Sequence, residues 1–252
     1  MTLNQMTARA FFLCGRRFAV EVEGYAVEGR ILAEEGAALP DLDNLLLPAV
    51  LCNDSHIRGG QLIGDPTEGA LLALAAKGGV DIDRIEQSTP RIAEIPFDSA
   101  RKYMATFHHD SNQVLMVVKG APDVLLAHCT KILGEPGELP LDEAARARLL
   151  AENEAMAGRG LRVLAIAVRT LQSAGFDPDG DLLKHVDELC LQGLVGIMDP
   201  PRPEAREAIA LCRTAGIEVK MITGDHRATA VAIARELGLI GEALTGADLD
   251  AM

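Results

Sequence analysis

The stretch from Arg91 to Leu126 most constrains the fold, because its pattern is that of a β-hairpin leading directly into a helix. The two arms, Lys102–His108 and Val114–Lys119, are biased toward apolar residues and residues that favour strands. Between them, Asp110-Ser111-Asn112 supplies residues that tolerate a left-handed backbone and bond to their own chain. The stretch therefore predicts two antiparallel strands followed by a helix.

The end of this hairpin has the features of a platform for a ligand. Lys119 at the strand end is followed by Gly120, which has no side chain. Pro122 then suits the first turn of the helix. We expect a flat group to approach the backbone closely at this point.

Composition narrows the range of partners. The 252 residues include 24 Lys and Arg against 37 Asp and Glu, a formal net charge of −13, which argues against a nucleic-acid or anionic-membrane surface. A phosphate-binding site must therefore be formed by a local cluster of Lys and Arg side chains. With 48% hydrophobic residues, the chain can bury a sizeable core in one large domain or two smaller ones.

Cysteine usage indicates a reducing compartment. The five cysteines are odd in number and lack CxxC spacing, so they are typical of small buried hydrophobic residues. No apolar run reaches the roughly 18 residues that span a bilayer. We therefore expect a soluble, cytoplasmic chain, which can still belong to a larger membrane protein.

Helix signals are clearest at Asp65, a natural N-cap that is followed by Pro66 and by an apolar run ending at Gly78. Upstream, Leu42–Ser55 also predicts a helix. Alternation and glycines in Arg17–Gly36 predict short strands and turns.

After the hairpin, the pattern predicts a surface loop, a helix and two strands. The loop is Glu135–Leu141, and the helix is Asp142–Gly158, with Glu152 on its solvated face. The strands are Leu161–Thr170 and Leu189–Met198, both rich in apolar residues.

Three prolines, Pro200, Pro201 and Pro203, stiffen a connector and indicate a domain boundary. Beyond it, the pattern predicts a helix, a strand and a second helix, at Glu204–Ala215, Ile217–Ile222 and Arg227–Leu237. Such a unit normally belongs to a parallel sheet, and roughly fifty residues are too few to close one. We expect this second unit to be incomplete.

Thr223, Gly224 and Asp225 follow the last predicted strand, where open α/β sheets place phosphate and metal chemistry. Thr223 offers a hydroxyl, Gly224 allows close approach of a phosphate, and Asp225 could lie near Mg²⁺. An ordinary turn with a capping aspartate is the alternative interpretation.

Five other side chains suit a nucleotide, each with a structural alternative. Phe97 stacks on a base or packs in the core. Lys102 and Lys119 balance phosphate charge or are solvated lysines at strand ends. Glu68 accepts from an adenine amino group or favours the helix dipole, and Arg162 binds a phosphate or a carboxylate.

Several familiar motifs are missing from the sequence. His56, His108 and His109 have no ligand spacing to cysteine or carboxylate, so no metal site is predicted at them. The Gly-x-Ser-x-Gly, HExxH and Walker patterns are also absent.

Seven segments, in order, resemble the P-type ATPases, most closely the type II cation pumps such as calcium and sodium pumps. They are LCNDS (51–55), GDPTEGALL (64–72), IPFDSARKYMAT (95–106), KGAPDVLL (119–126), LRVLAIA (161–167), MDPPRPE (198–204) and MITGDHRATAVAIARELG (221–238). The resemblance covers nearly the whole chain. The family's KGAPE motif is KGAPD here, a conservative change.

The resemblance implies an ATP-binding N domain inserted into a haloacid-dehalogenase-like P domain. The fold class is then α/β, with an antiparallel sheet flanked by helices in the N domain and a partial α/β P domain. We expect residues 1–8 to be a P-domain remnant, residues 9–195 the N domain, and residues 196–252 the partial P domain.

The resemblance also implies roles for individual residues. The adenosine- and phosphate-contacting positions are Glu68, Phe97, Lys102, Lys119, Gly120 and Arg162. The positions near the transferred phosphate and Mg²⁺ are Asp199, Arg202, Thr223, Gly224 and Asp225. ATP and ADP are the implied ligands, and Mg²⁺ is implied for the full-length enzyme.

The parent enzyme is expected to transfer the γ-phosphoryl group of MgATP to an aspartate and to couple this step to cation transport. The family's DKTGT and GDGxND motifs are absent here, so we expect nucleotide binding without turnover. The implied partners are the transmembrane and actuator domains of a pump, at the cytoplasmic face of a membrane. The incomplete C-terminal unit is expected to be mobile or to form a homodimer contact.

The same sequence features are compatible with two alternative functions. A freestanding nucleotide-binding or regulatory module would have the fold without the transport. A soluble haloacid-dehalogenase phosphatase would need an Asp-x-Asp motif on a strand. The Asp-x-Asp patterns that begin at Asp41, Asp81, Asp177 and Asp248 all lie in predicted loops or helix caps.

Overall fold

The computed structural model describes residues 5–21, 29–34, 36, 39–59, 61–199, 202–223, 227–239, 241, 243–244 and 248, with the backbone alone at 203 and 227–229. It confirms the predicted class, because helices flank a largely antiparallel sheet.

The strands are β1 (Thr7–Leu13), β2 (Arg16–Glu21), β3 (Arg30–Ala33), β4 (His56–Arg58), β5 (Gln61–Ile63), β6 (Arg91–Asp98), β7 (Tyr103–Asp110), β8 (Gln113–Gly120), β9 (Cys129–Gly134), β10 (Gly137–Pro140), β11 (Arg162–Gln172) and β12 (Leu189–Met198). The helices are α1 (Asp43–Leu51), α2 (Pro66–Lys77), α3 (Ile82–Ser88), α4 (Pro122–His128), α5 (Glu143–Gly158), α6 (Pro203–Thr214) and α7 (Arg227–Glu236). A 3-10 turn spans Leu183–His185.

One sheet holds strands in the order β3-β2-β1-β12-β11-β8-β7-β6, with β9 beside β12 and β10 beside β9. Strands β4 and β5 pair separately. The predicted hairpin is confirmed as β7 and β8, with Asp110 opposite Gln113 and Ser111 in the left-handed region at φ +53°. In the middle of the strand order, Thr7 of β1 lies opposite Met198 of β12.

Each face of the sheet has its own apolar core. Met116 and Val118 of β8 point into the core beneath α4 and α5, where they meet Leu125. Val117 points into the core beneath α1 and α2, where it meets Leu46. Because both faces are covered, β8 is apolar along most of its length instead of alternating.

Helix α2 begins as predicted. The Asp65 carboxylate accepts hydrogen bonds from the Thr67 and Glu68 backbone N–H groups at 2.8 and 3.3 Å, and Pro66 opens the first turn. This cap holds Glu68 in the first turn of the helix, which faces the sheet.

Two predictions about the middle of the chain are wrong. The segment Glu135–Leu141 is not a simple loop, because β10 within it pairs with β9. Glu152 is not solvated: it is 7% exposed and accepts from Arg17 Nε at 2.8 Å. Arg17 of β2 supplies the matching cation.

The C-terminal helices α6 and α7 are confirmed and are followed by Gly216 and Gly238, with φ at +74° and +75°. The strand predicted at Ile217–Ile222 is wrong: that segment has no strand, and Ile222 is 95% exposed. A strand needs a neighbour for its N–H and C=O groups, and no described residue pairs with this segment. Pro200 and Pro201 lie outside the described residues.

The five cysteines are free, and Cys52, Cys129 and Cys190 are buried. Burial raises the pKa of the Cys129 thiol to about 12, so this side chain behaves as a small apolar group. Within the described part of the chain, no helix is both long and apolar enough to cross a membrane.

Candidate functional site

The ends of neighbouring strands meet at one end of the sheet. Asp98 at the end of β6 lies opposite Tyr103 at the start of β7, and Tyr103 lies opposite Gly120 at the end of β8. Gly120 in turn lies opposite Ala165 of β11. This register brings the predicted residues Phe97, Lys102, Gly120 and Arg162 to the same end of the sheet.

Gly120 is packed tightly against the neighbouring strand. A Cβ atom at Gly120 would lie 2.5 Å from the Lys102 carbonyl oxygen and 2.6 Å from the Tyr103 Cβ. The same carbonyl accepts the Ala121 N–H at 3.0 Å. The absence of a side chain at this buried position is therefore a structural requirement of the strand packing.

The turn before β7 sets the position of Lys102. Lys102 has a φ of +60°, and its N–H donates to the Asp98 carbonyl oxygen at 2.6 Å. The Asp98 carboxylate accepts the Arg101 and Ala100 N–H groups, and these bonds lower the pKa of that carboxyl. The Lys102 side chain is exposed, with its ammonium 3.8 Å from the Asp123 carboxylate.

Lys119 and Glu68 form an ion pair at the edge of the core. The Lys119 Nζ lies 2.5 Å from the Glu68 Oε1 and also donates to the Cys52 carbonyl oxygen at 2.5 Å. Their side chains are 8% and 12% exposed. Lys119 is thus not the solvated strand-end lysine of the alternative interpretation, and it differs from the exposed Lys102.

Phe97 is 63% exposed, which makes the core alternative wrong for this residue. An exposed aromatic ring at a strand end is suited to stacking on a flat ligand. Arg162 is also exposed, at the start of β11. The structure therefore offers an aromatic face, two exposed cations and a buried carboxylate–ammonium pair in one region of the sheet end.

Sequence reasoning missed the side chains that support Glu68. Ser55 Oγ donates to the Glu68 Oε2 at 2.9 Å, and the Asp54 N–H donates to the same oxygen at 3.1 Å. Arg91 Nη2 donates to the Asn53 carbonyl oxygen at 2.6 Å. The sequence did contain a signal for this loop. Three polar residues, Asn53, Asp54 and Ser55, stand directly between the apolar helix α1 and the strand β4.

The residues predicted near the transferred phosphate are described in part. Asp199 follows β12 and accepts the Gln5 N–H at 3.2 Å, while Arg202 precedes α6. Thr223 is exposed and does not end a strand. Gly224 and Asp225 lie outside the described residues. Within the described ranges, no group of three or more His, Cys, Asp or Glu side chains is arranged to hold a metal ion.

A cleft of about 990 Å³ lies elsewhere, between the β1–β2 hairpin, the β9–β10 hairpin and α5. Its walls include Phe12, Leu149 and the Arg17–Glu152 ion pair. None of the predicted nucleotide-contacting residues lines it. At the sheet end, the predicted residues Phe97, Lys102 and Arg162 are exposed, whereas Lys119 and Gly120 are buried.

Comparisons with known proteins agree with the sequence motifs. Residues 41–204 match the family model described as "P-type ATPase, cytoplasmic domain N". The chain is 40% identical over 269 residues to the probable cation-transporting ATPase F of Mycobacterium tuberculosis, covering 100% of this chain and 29% of that protein.

Two further relatives have similar identities. The cation-transporting ATPase pma1 of Synechocystis is 41% identical over 258 residues, which cover 96% of this chain and 28% of the relative. The calcium-transporting ATPase of Bacillus subtilis is 39% identical over 249 residues, which cover 95% and 28%. The chain therefore spans less than a third of the length of these relatives.

Proposed function

The chain belongs to the P-type ATPases, and from this we propose that its sheet end binds the adenosine and phosphate groups of ATP within a cation pump. The observation that carries the proposal is the convergence of an exposed Phe97 and the buried Glu68–Lys119 pair on the same strand ends. ADP, which shares the adenosine, is expected to bind at the same place.

Each side chain has a distinct role in this proposal. Phe97 supplies a face on which the adenine ring stacks, and Glu68 accepts the adenine amino group. Gly120 lets the ligand approach the backbone closely. Lys102 and Arg162, both exposed, balance phosphate charge, while Lys119 holds the Glu68 carboxylate and presents its remaining N–H.

For the whole protein, we propose transfer of the γ-phosphoryl group of MgATP to an aspartate, coupled to cation transport across a membrane. The chain would then lie at the cytoplasmic face and work with transmembrane and actuator domains. Residues 9–195 would form the nucleotide-binding domain and residues 196–252 part of a haloacid-dehalogenase-like domain. Asp199, Arg202, Thr223, Gly224 and Asp225 are the proposed positions near the phosphate and Mg²⁺.

The names of the relatives favour a pump over a freestanding nucleotide-binding module. Three relatives are named as cation- or calcium-transporting ATPases at 39–41% identity, and the matches extend over at least 95% of this chain. The reading frame of the gene discriminates between the two functions, because a pump requires membrane segments and an aspartyl-phosphorylation motif in the same protein.

Isothermal titration calorimetry tests the proposed binding. We expect ATP and ADP to bind with similar dissociation constants of about 0.1 to 1 mM, which correspond to about 4 to 5.5 kcal/mol. Similar values are expected because the site mainly contacts adenosine. The absence of binding for both nucleotides up to several times these concentrations would contradict the proposal.

We also propose that the C-terminal unit makes an apolar contact with a second copy of the chain. Leu211 is 70% exposed and Ile222 is 95% exposed, and such side chains favour burial. Light scattering over a range of concentrations, comparing this chain with a version ending at Met198, tests the idea. Monomers in both cases would rule out the contact.

A further inference from the structure

The loop Cys52-Asn53-Asp54-Ser55, between α1 and β4, surrounds the Glu68 carboxylate. The Glu68 Oε2 accepts the Ser55 hydroxyl at 2.9 Å and the Asp54 N–H at 3.1 Å. The Glu68 Oε1 accepts the Lys119 ammonium at 2.5 Å. Three donors therefore determine the plane and direction of this carboxylate.

Ser55 has no freedom to move away from this position. The side chain is 1% exposed, and its oxygen also accepts the Asp65 N–H at 2.8 Å, at the cap of the helix that carries Glu68. A Cβ atom at Gly64 would lie 2.2 Å from the Ser55 oxygen, so only a glycine fits opposite the hydroxyl. The hydroxyl thus connects the helix cap to the carboxylate.

The loop itself is held on its other side. Asn53 accepts the Ser55 N–H at 2.9 Å through its side-chain oxygen and donates to the Glu68 carbonyl oxygen at 3.1 Å. Arg91 donates to the Asn53 carbonyl oxygen and to the Asp54 carboxylate, both at 2.6 Å. A loop with this many bonds keeps its donors in one geometry.

We propose that Ser55 is a positioning residue that makes Glu68 selective for an adenine amino group, an inference that rests on the proposed nucleotide binding. A carboxylate has about four acceptor positions, and three are occupied here. One acceptor position remains, with its direction set by the hydroxyl. Such a site accepts one N–H from a purine and repels a carbonyl oxygen at the same place.

The test compares ATP with purine riboside triphosphate, which lacks only the amino group. For the wild-type chain, calorimetry is expected to show tighter binding of ATP. In Ser55→Ala, the preference for ATP should fall roughly three- to tenfold, while the affinity for purine riboside triphosphate stays unchanged. Ser88→Ala, which removes an exposed hydroxyl on α3, is the matched control and should keep the full preference.

A double-mutant cycle separates positioning from a general structural effect. If Ser55 acts through Glu68, Ser55→Ala should not change the ATP preference further in a Glu68→Gln background. A loss of preference that is equally large in both backgrounds would overturn the proposal. Thermal unfolding of each variant shows whether it is folded.

The outcomes distinguish this inference from the function on which it rests. If the wild-type chain binds neither nucleotide, nucleotide binding itself is wrong and the role of Ser55 falls with it. If the wild-type chain prefers ATP and Ser55→Ala keeps that preference, only the positioning role is wrong. Ser55→Cys, which nearly keeps the side-chain volume but has a weak donor, is measured in parallel in case Ser55→Ala does not fold. An unchanged preference in Ser55→Cys also contradicts the proposal.

Discussion

The Lys119 ammonium lies 2.5 Å from the Glu68 carboxylate, and the pair joins strand β8 to the first turn of helix α2. The two side chains are almost excluded from solvent, so each supplies the counter-charge that the other needs when buried. The pair therefore has a structural role in addition to its proposed contact with a nucleotide.

Replacement of Lys119 alone should destabilise the fold. Lys119→Met leaves the Glu68 carboxylate buried without its cation, and we expect the free energy of unfolding to fall by about 3 kcal/mol. Addition of Glu68→Gln should recover about 1 kcal/mol or more, because the amide needs no counterion. Urea denaturation measures both changes. Lys131→Met, which breaks the exposed Lys131–Glu138 pair, is the control and should leave stability nearly unchanged.

Phe97→Ala should weaken nucleotide binding without weakening the fold. The ring is 63% exposed, so its removal should change the free energy of unfolding by no more than about 0.5 kcal/mol. The loss of stacking should cost about 1 to 3 kcal/mol of binding free energy, measured by calorimetry with ATP. The comparison variant, Phe107→Ala, empties a fully buried site and should cost about 3 to 5 kcal/mol of stability. Undiminished ATP binding in Phe97→Ala would show that the ring does not contact the base.

Gly120→Ala should disturb the strand ends at the site. The new methyl group would lie 2.5 Å from the Lys102 carbonyl oxygen, a backbone atom that moves only if the strands separate. We expect a loss of about 1 to 3 kcal/mol in stability, together with weaker ATP binding. Gly158→Ala at the end of α5 is the matched control, since a Cβ there has nothing within 4 Å. Chemical denaturation measures the stability of both variants. Equal losses of stability in Gly120→Ala and Gly158→Ala would show that close packing at Gly120 is unimportant.

The stability of the fold should depend on pH through His108. Its Nδ1 bonds with the Thr89 carbonyl oxygen at 3.0 Å, and burial lowers the pKa of the imidazole from 6.5 to about 4. Between these values, the unfolded chain binds a proton that the folded chain does not. The free energy of unfolding should therefore decrease as pH falls from 6.5 toward 4, by up to about 3 kcal/mol.

Urea denaturation at several pH values tests this dependence. His108→Gln should have a flatter profile than the wild-type chain in this range, whereas the exposed His109→Gln should keep the wild-type slope. Burial also lowers the pKa of His185, so His185 contributes to the pH dependence of every variant. The contribution of His108 is therefore the difference between the profiles of the wild-type chain and His108→Gln. Identical slopes for His108→Gln and the wild-type chain would show that His108 is not the group responsible.

Local signals were sufficient for the central elements of the fold. The β7–β8 hairpin follows from turn residues between two apolar strands, and the start of α2 follows from Asp65 and Pro66. These features depend on residues within a few positions of each other. The same kind of signal did not distinguish the β9–β10 hairpin from a loop, because β10 has only four residues and ends at Pro140.

Elsewhere, predictions failed where a residue's environment depends on residues far away in the chain. Glu152 was expected in solvent because the sequence of α5 does not reveal that Arg17 lies opposite, on a hairpin far away in the chain. Ile217–Ile222 has the apolar pattern of a strand but no described partner. Whether a segment becomes a strand depends on its neighbours as well as on its own residues.

By itself, the sequence determined the elements that depend on nearby residues, namely the β7–β8 hairpin and the capped helix α2. Only the tertiary structure decided that Lys119 is buried against Glu68 while Lys102 is exposed, although both lysines lie at ends of the same hairpin. The reason is that burial depends on which face of the sheet a helix covers. Helix α2 covers the face on which Lys119 lies, and its first turn supplies the carboxylate that makes burial of a charge favourable.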